Sequence, residues 1–248
     1  MIEIENIHKS FDGLEVLKGV SLNIERGEIL VLIGMSGYGK SVLLKHVAGL
    51  ITPDSGRVVI DGRDVGKLRG KDLDELRSRI GFLFQGGALF ESMSIFDNVA
   101  FPLREKTRLG KEEIRKKVLD ELDLVGLSGA EDKYPSQISG GMQKRAALAR
   151  ELVWSPEIML FDEPTTGLDP IIGHAILNLI EDLHNRMKFT SIIVTHEFAR
   201  VFKIANRAAM LHEGVVREVG SPDEILISRD PVVKQFISGD TQGPISYR

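Results

Sequence analysis

The chain contains no cysteine, which excludes disulfides and thiolate metal centres and fits a reducing compartment. It has no apolar run approaching the roughly 18 residues that would cross a bilayer. Its opening, MIEIENIHKS, carries acids where a secretory leader needs a basic start and an apolar stretch. It also lacks a basic excess: 32 Lys and Arg against 36 Asp and Glu leave a net charge of −4, so no nucleic-acid partner is expected. These absences predict a soluble, cytoplasmic chain that reaches a membrane only if a partner holds it there. What remains is an ordinary globular composition, 42% hydrophobic and 27% charged over 248 residues. That is enough for one large α/β domain or two small ones.

Along the chain, alternation in IEIENI and VSLNIERGEIL reads as strands broken at Asp12-Gly13 and Arg26-Gly27. EILVLIG is continuous and apolar, the pattern of a strand buried on both faces. KSVLLKHVAGL has helical spacing and a stop at Gly49. Charged helical segments follow, up to about Val153. Two short strands, PEIMLFDEP and FTSIIVTHE, then lead to a hairpin closing at Glu213-Gly214. The predicted fold is an α/β domain over 1–248. Its parallel core with an antiparallel flank occupies 1–89 and 151–228, a helical insertion lies at about 90–150, and a tail covers 229–248.

Between a strand and a helix stands GMSGYGKS, residues 34–41. Three glycines in eight residues suit no regular element. They do suit a loop whose N–H groups must turn inward upon a polyphosphate: Gly34, Gly37 and Gly39 supply the freedom, with Met35, Ser36 and Tyr38 between them. The helix start beyond adds unpaired amides, Lys40 a point charge for the β- and γ-phosphates, and Ser41 a hydroxyl for Mg²⁺. A glycine-rich turn with a chance lysine is the plainer account, and the flanking strand and helix argue against it.

Hydrolysis needs more than phosphate binding. Asp162 and Glu163 end an apolar strand, where one carboxylate could hold Mg²⁺ and the other polarise water. His196 ends another strand, where an imidazole beside a terminal phosphate could donate to its oxygens, and Gln85 at a strand–loop junction offers a neutral ligand for Mg²⁺ or water. Each could instead be a solvated or structural side chain. A second glycine-rich helix start, ISGGMQKRAALARE, sets Ser139 as N-cap before Gly140 and Gly141. Two separate phosphate-reading helices in one chain suggest a site shared by two chains.

In this order the motifs resemble those of the ATP-binding-cassette (ABC) ATPases: GMSGYGKS, Gln85, ISGGM, IMLFDE, GLD ending at Asp169, and His196. The resemblance implies a P-loop, RecA-like core with a β flank and helical insertion, and ATP with Mg²⁺ as ligands. It implies Glu163, His196 and Gln85 as the catalytic set and Ser41, Gln85 and Asp162 toward the metal. It further implies a head-to-tail homodimer in which Ser139, Gly140, Gly141 and Asp169 serve the nucleotide across the interface. Phe11 matches the position of the aromatic that stacks on adenine, usually tyrosine; Ile138 and Met142 also depart from the commonest signature.

LFQGGALFESMSIFDNVAFPLRE and the ending VVKQFISGDTQGPISYR resemble the ATPase subunits of Mla-type phospholipid transporters. That likeness implies permease subunits at the inner membrane, a small STAS-domain partner, and a tail bracing the dimer. Ile245 and Tyr247 are the expected anchors on the other chain or on that partner. Ala88, Leu89, Phe90, Met93, Ile95 and Phe96 are either the surface that meets the permease or the insertion's own core. An importer ATPase for amino acids or metals, a soluble cassette ATPase and a non-catalytic nucleotide switch are the other classes considered.

Overall fold

In a computed structural model describing residues 1–245, the alternating start of the chain is strand β1 (Ile2–Phe11), which buries Ile2, Ile4 and Ile7 and turns Glu3 outward. Strand β2 (Leu14–Ile24) returns antiparallel across the Asp12-Gly13 turn. The continuous apolar run is β3 (Ile29–Ile33), buried at every position, and the glycine-rich loop leads from it into α1 (Lys40–Val47). Strand β4 (Ser55–Ile60) pairs with the other edge of β1, β5 (Arg63–Asp64) pairs with β4, and α2 (Gly70–Ser78) follows.

The chain divides into two compact units, one of Met1–Arg77 with Phe189 onward, the other of Ser78–Lys188. The second is wider than the insertion expected at about 90–150, because it carries two strands along with its helices. These are β6 (Ile80–Leu83) and β7 (Ile158–Asp162), parallel and in register from Ile80↔Ile158 to Leu83↔Phe161. Bonds from Arg79 to Glu157 at 2.9 Å and from the Phe82 amide to Glu151 at 3.3 Å tie them into this unit.

Helices α3 (Ile95–Lys106), α4 (Lys111–Leu124), α5 (Gly140–Leu152) and α6 (Pro170–Met187) complete the second unit. Ile95, Val99 and Leu103 lie four residues apart, as do Ile114, Val118 and Leu122, so each helix turns one apolar face inward. They meet Ala146, Ala149 and Val153 in a shared core, where burying one large aliphatic side chain contributes about 1.5–3 kcal/mol. Leu89 and Phe96 pack on it as well, and Ile95 is fully buried. Ala88 and Phe90 stay exposed, so the apolar segment after Gln85 divides between core and surface.

The chain re-enters the first unit as β8 (Thr190–Thr195), α7 (Phe198–Val201), β9 (Arg207–His212), β10 (Val215–Gly220), α8 (Pro222–Leu226) and α9 (Pro231–Ser238). Strand β3 lies between β8 and β9 and runs parallel to both, and β9–β10 is the hairpin expected at Glu213-Gly214.

The tail differs from expectation at Ile245. Rather than reaching outward it is 3% exposed, and buried Gln235 of α9 grips its backbone. Gln235 Oε1 accepts from the Ile245 amide at 2.7 Å, while Nε2 donates to the carbonyls of Ile245 and Asp240 at 3.2 and 3.1 Å. A turn-rich segment is held this way because a buried amide can satisfy donor and acceptor together. Tyr247 lies outside the described residues. Gln235→Ala should cost about 1–3 kcal/mol by stranding those backbone groups. Urea unfolding and limited proteolysis within 239–245 check this, and parent behaviour in both would show that the clasp does not hold the tail.

Candidate functional site

The phosphate loop leaves β3 at Gly34, with the chain so crowded that a Cβ would stand 2.2 Å from the Leu211 carbonyl oxygen. At Gly39, with φ of 93°, a Cβ would meet Leu17 and Val16 of β2 at 2.8 and 3.0 Å. The third and fourth residues of β2 therefore press on the loop, and the same hairpin carries Phe11, 44% exposed, with Lys9 Nζ 5.4 Å from its ring centre. Lys40 is buried and donates to the carbonyls of Gly34 and Met35 at 2.7 and 2.9 Å. Its ammonium is thus folded into the loop whose amides begin α1, and no acidic residue occupies the helix's first turn. Ser36 and Gly37 are exposed, Ser41 is half-buried, and Tyr38 sets its ring edge-on to His212 at 5.0 Å. This cradle fits a polyphosphate: a glycine-rich turn, a positive helix end and a local cation.

Strand register decides what stands beside the loop. Ile33 pairs with Thr195 across parallel strands, so Gly34 and His196 leave adjacent strand ends on the same edge. His196 is exposed there. The second unit repeats the arrangement with Leu83 opposite Phe161, so Gln85 and Glu163 each follow two residues beyond a matched pair. Asp162 and Glu163 are both 7% exposed, and Glu163 has φ of 51°. A left-handed glutamate is a backbone cost of about 1–3 kcal/mol, the kind of strain that collects at functional sites. Thr166 braces it, its hydroxyl donating to Glu163 Oε2 at 3.1 Å.

Ser139 caps α5, its Oγ accepting from the Met142 amide at 3.3 Å, and Ser139 and Gly140 are exposed. A Cβ on Gly141 would lie 2.5 Å from Ile172 of α6, so only glycine allows that approach. Asp169 has local work of its own: it caps α6, Oδ1 accepting from the amides of Ile171 and Ile172 at 3.0 and 3.1 Å.

Sequence reasoning did not single out Lys144. It is buried on α5, donates to the Gln85 carbonyl oxygen, and lies in the field of Asp162 and Glu163. Burial pushes its ammonium pKa down, and the two carboxylates oppose that shift. Arg150 also escaped notice, though it reaches the Gly87 and Ala88 carbonyls. The available signal was charge on an alanine-rich helix face that must be buried.

A parallel strand, a glycine-rich phosphate loop and a helix, with carboxylates at a second parallel strand end, define a nucleotide-binding cassette of the P-loop class. Residues 17–166 match the family described as ABC transporter. The probable ribonucleotide transport ATP-binding protein mkl of Mycobacterium leprae is 45% identical over 98% of this chain and 70% of its own length. The intermembrane phospholipid transport system ATP-binding protein MlaF of Haemophilus influenzae is 41% identical over 100% of this chain and 94% of its own. The dimeric ATP-binding cassette MJ0796, solved in a post-hydrolysis state bound to ADP and Pi, matches with a TM-score of 0.83 at 33% identity, covering 90% of this chain and 99% of that one. The chain belongs to the ABC transporter family.

Lys40→Ala should weaken ATP binding by about ten- to hundredfold, the loss of one charge-assisted phosphate contact of about 1.5–3 kcal/mol. Titration calorimetry with ATP measures it. Parent affinity in that variant would remove Lys40 from the phosphate site.

Proposed function

We propose that this chain is the ATP-hydrolysing subunit of a phospholipid transporter, working as a homodimer on integral-membrane permease subunits. The observation that carries the lipid assignment is full-length likeness to MlaF, which runs through the tail and spans 94% of that protein. The mkl relative, whose name specifies ribonucleotide transport, is longer, and this chain covers 70% of it. MJ0796 supports a dimer that has split nucleotide, since its structure holds ADP and Pi.

In this proposal Gly34, Met35, Ser36, Gly37, Tyr38, Gly39, Lys40 and Ser41 hold the ATP phosphates and Phe11 the base. Ser139, Gly140, Gly141 and Asp169 serve the partner's nucleotide. Ser41, Asp162 and Gln85 are the protein oxygens offered to Mg²⁺, which supplies charge neutralisation at the phosphates when bound. Among the described residues no three His, Cys, Asp or Glu side chains cluster as a metal cage. That suits Mg²⁺, which retains water and phosphate oxygens and takes few protein ligands. Glu163 polarises the attacking water, with His196 directed to the terminal phosphate.

No helix among the described residues is long and apolar enough to cross a membrane. Membrane attachment therefore falls to the permease, on the cytoplasmic side of the inner membrane. A groove of about 260 Å³ in the second unit, lined in part by Ala88, Phe90, Phe101, Pro102 and Trp154, offers apolar surface for it. A small STAS-domain protein beside the tail completes the proposed assembly.

Glu163→Gln should keep ATP affinity, accumulate as an ATP-bound dimer on size exclusion, and lose about 10²–10⁴ in turnover. Normal phosphate release would take the catalytic role from Glu163. The transport assignment is tested by solubilising native membranes, pulling out the tagged subunit, and identifying what accompanies it. A permease with phospholipid supports the proposal, whereas a permease loaded with ribonucleotide, or the subunit alone, overturns it.

A further inference from the structure

The segment that leaves β6 is fastened along its main chain by side chains from two helices. Lys144 of α5 donates to the Gln85 carbonyl. Arg150, two turns further along α5, uses its whole fork: Nη2 to the Gly87 carbonyl at 3.0 Å, Nη1 to the Ala88 carbonyl at 2.7 Å, and Nε to Glu151 Oε1 at 3.1 Å. Glu151 Oε2 in turn accepts from the Phe82 amide at 3.3 Å, inside β6 itself. Beyond the loop, fully buried Asn98 of α3 accepts from the Phe90 amide at 2.7 Å and donates to the carbonyls of Phe90, Met93 and Ser94 at 3.0, 3.2 and 3.0 Å. Ala88 is held left-handed, with φ of 49°, a conformation an alanine does not keep without help from its surroundings.

We propose that Arg150 and Lys144 are positioning residues for Gln85: they bind the loop's carbonyls so that Gln85 and the Ser139–Gly141 helix start move as one body. This rests on the ATPase reading above. The helix that begins at Ser139 carries both grips on the loop. A pull on that start, as when a second chain's nucleotide docks there, reaches Gln85 through side-chain-to-carbonyl bonds. Exposed Ala88 is held by the same clamp, whereas exposed Phe90 is held by Asn98 of α3, so a partner pressing on Ala88 reaches Gln85 through Arg150 as well. Arginine suits the position because its rigid planar fork reaches three acceptors set apart from one another, whereas an ammonium gathers its donors at a single point.

The test uses the full-length chain with Arg150→Lys, Lys144→Arg and Lys144→Met. Amide hydrogen exchange by mass spectrometry is followed over 86–90, and kcat and KM for ATP are measured on the same samples. Arg150→Lys should speed exchange over 86–90 by about tenfold or more, leaving β6, β7 and α5 at parent rates. Its kcat should fall at least about tenfold while KM stays within about threefold, because binding is intact and alignment is lost. Lys144→Met should behave alike, and Lys144→Arg should retain kcat because a donor remains. If Arg150→Lys does not fold, Arg150→Met with Glu151→Gln removes both buried charges together and takes its place.

Parent exchange over 86–90 with parent kcat overturns the clamp. So does a rise in exchange spread evenly through the unit with kcat and ATP affinity falling together, which is the mark of general loosening. The two readings fail separately. A parent protein that does not hydrolyse ATP sinks the ATPase assignment, while exchange over 86–90 still decides whether the grips hold the loop.

Discussion

Backbone amides can be turned upon an anion only where no side chain intrudes, and that condition shapes the first unit around Gly34. The carbonyl of Leu211 stands where a Cβ would otherwise be, so β9 can lie against β3 at the very point where the chain leaves the sheet. From that contact follow the direction of the loop and the place where α1 begins. The press of Val16 and Leu17 on Gly39 extends the same condition to β2. Bulk is therefore excluded from within the loop and supplied from outside it, which lets a flexible sequence keep one shape.

The second unit solves a different problem by different means. In our proposal its loop presents a side chain, Gln85, rather than bare amides, and its main chain is tied down by polar groups from the helices. Buried arginine, glutamate, lysine and asparagine are costly alone and stable only when their hydrogen bonds are filled, as they are at Arg150, Glu151 and Asn98. Sequence-adjacent Arg150 and Glu151 thereby work as a single fixture. Burial of Glu151 raises its carboxyl pKa, and the neighbouring Arg150 charge and the Phe82 amide oppose that rise.

Much of the architecture was legible because it depends on local pattern. The phosphate loop, the buried runs of β3, β7 and β8, and the hairpin at Glu213-Gly214 are written in consecutive residues, where period and turn chemistry speak directly. The likeness to a family then supplied order and roles that spacing alone could not. What stayed hidden depends on distant pairing. Lys144 and the carbonyl it holds are 59 residues apart, and Arg150 and Gly87 are 63. Ile245 was misjudged for a related reason: an isolated apolar residue after a turn-rich stretch gives no sign that a glutamine ten residues earlier will hold it. The extent of the second unit was hidden too, since β6 and β7 read as core strands by composition, yet Arg79 bonds Glu157 between them and Glu151 of α5 accepts from the Phe82 amide of β6.

The left-handed backbone at Glu163 sets stability and chemistry against one another. Glycine at that position would relax the peptide and remove the carboxylate, giving a protein harder to unfold and, under the role we propose for Glu163, unable to polarise water. The parent chain keeps the less comfortable residue, so its melting temperature lies below what the same fold could reach. A screen that selected variants for heat resistance alone would be drawn toward position 163 and would discard activity there.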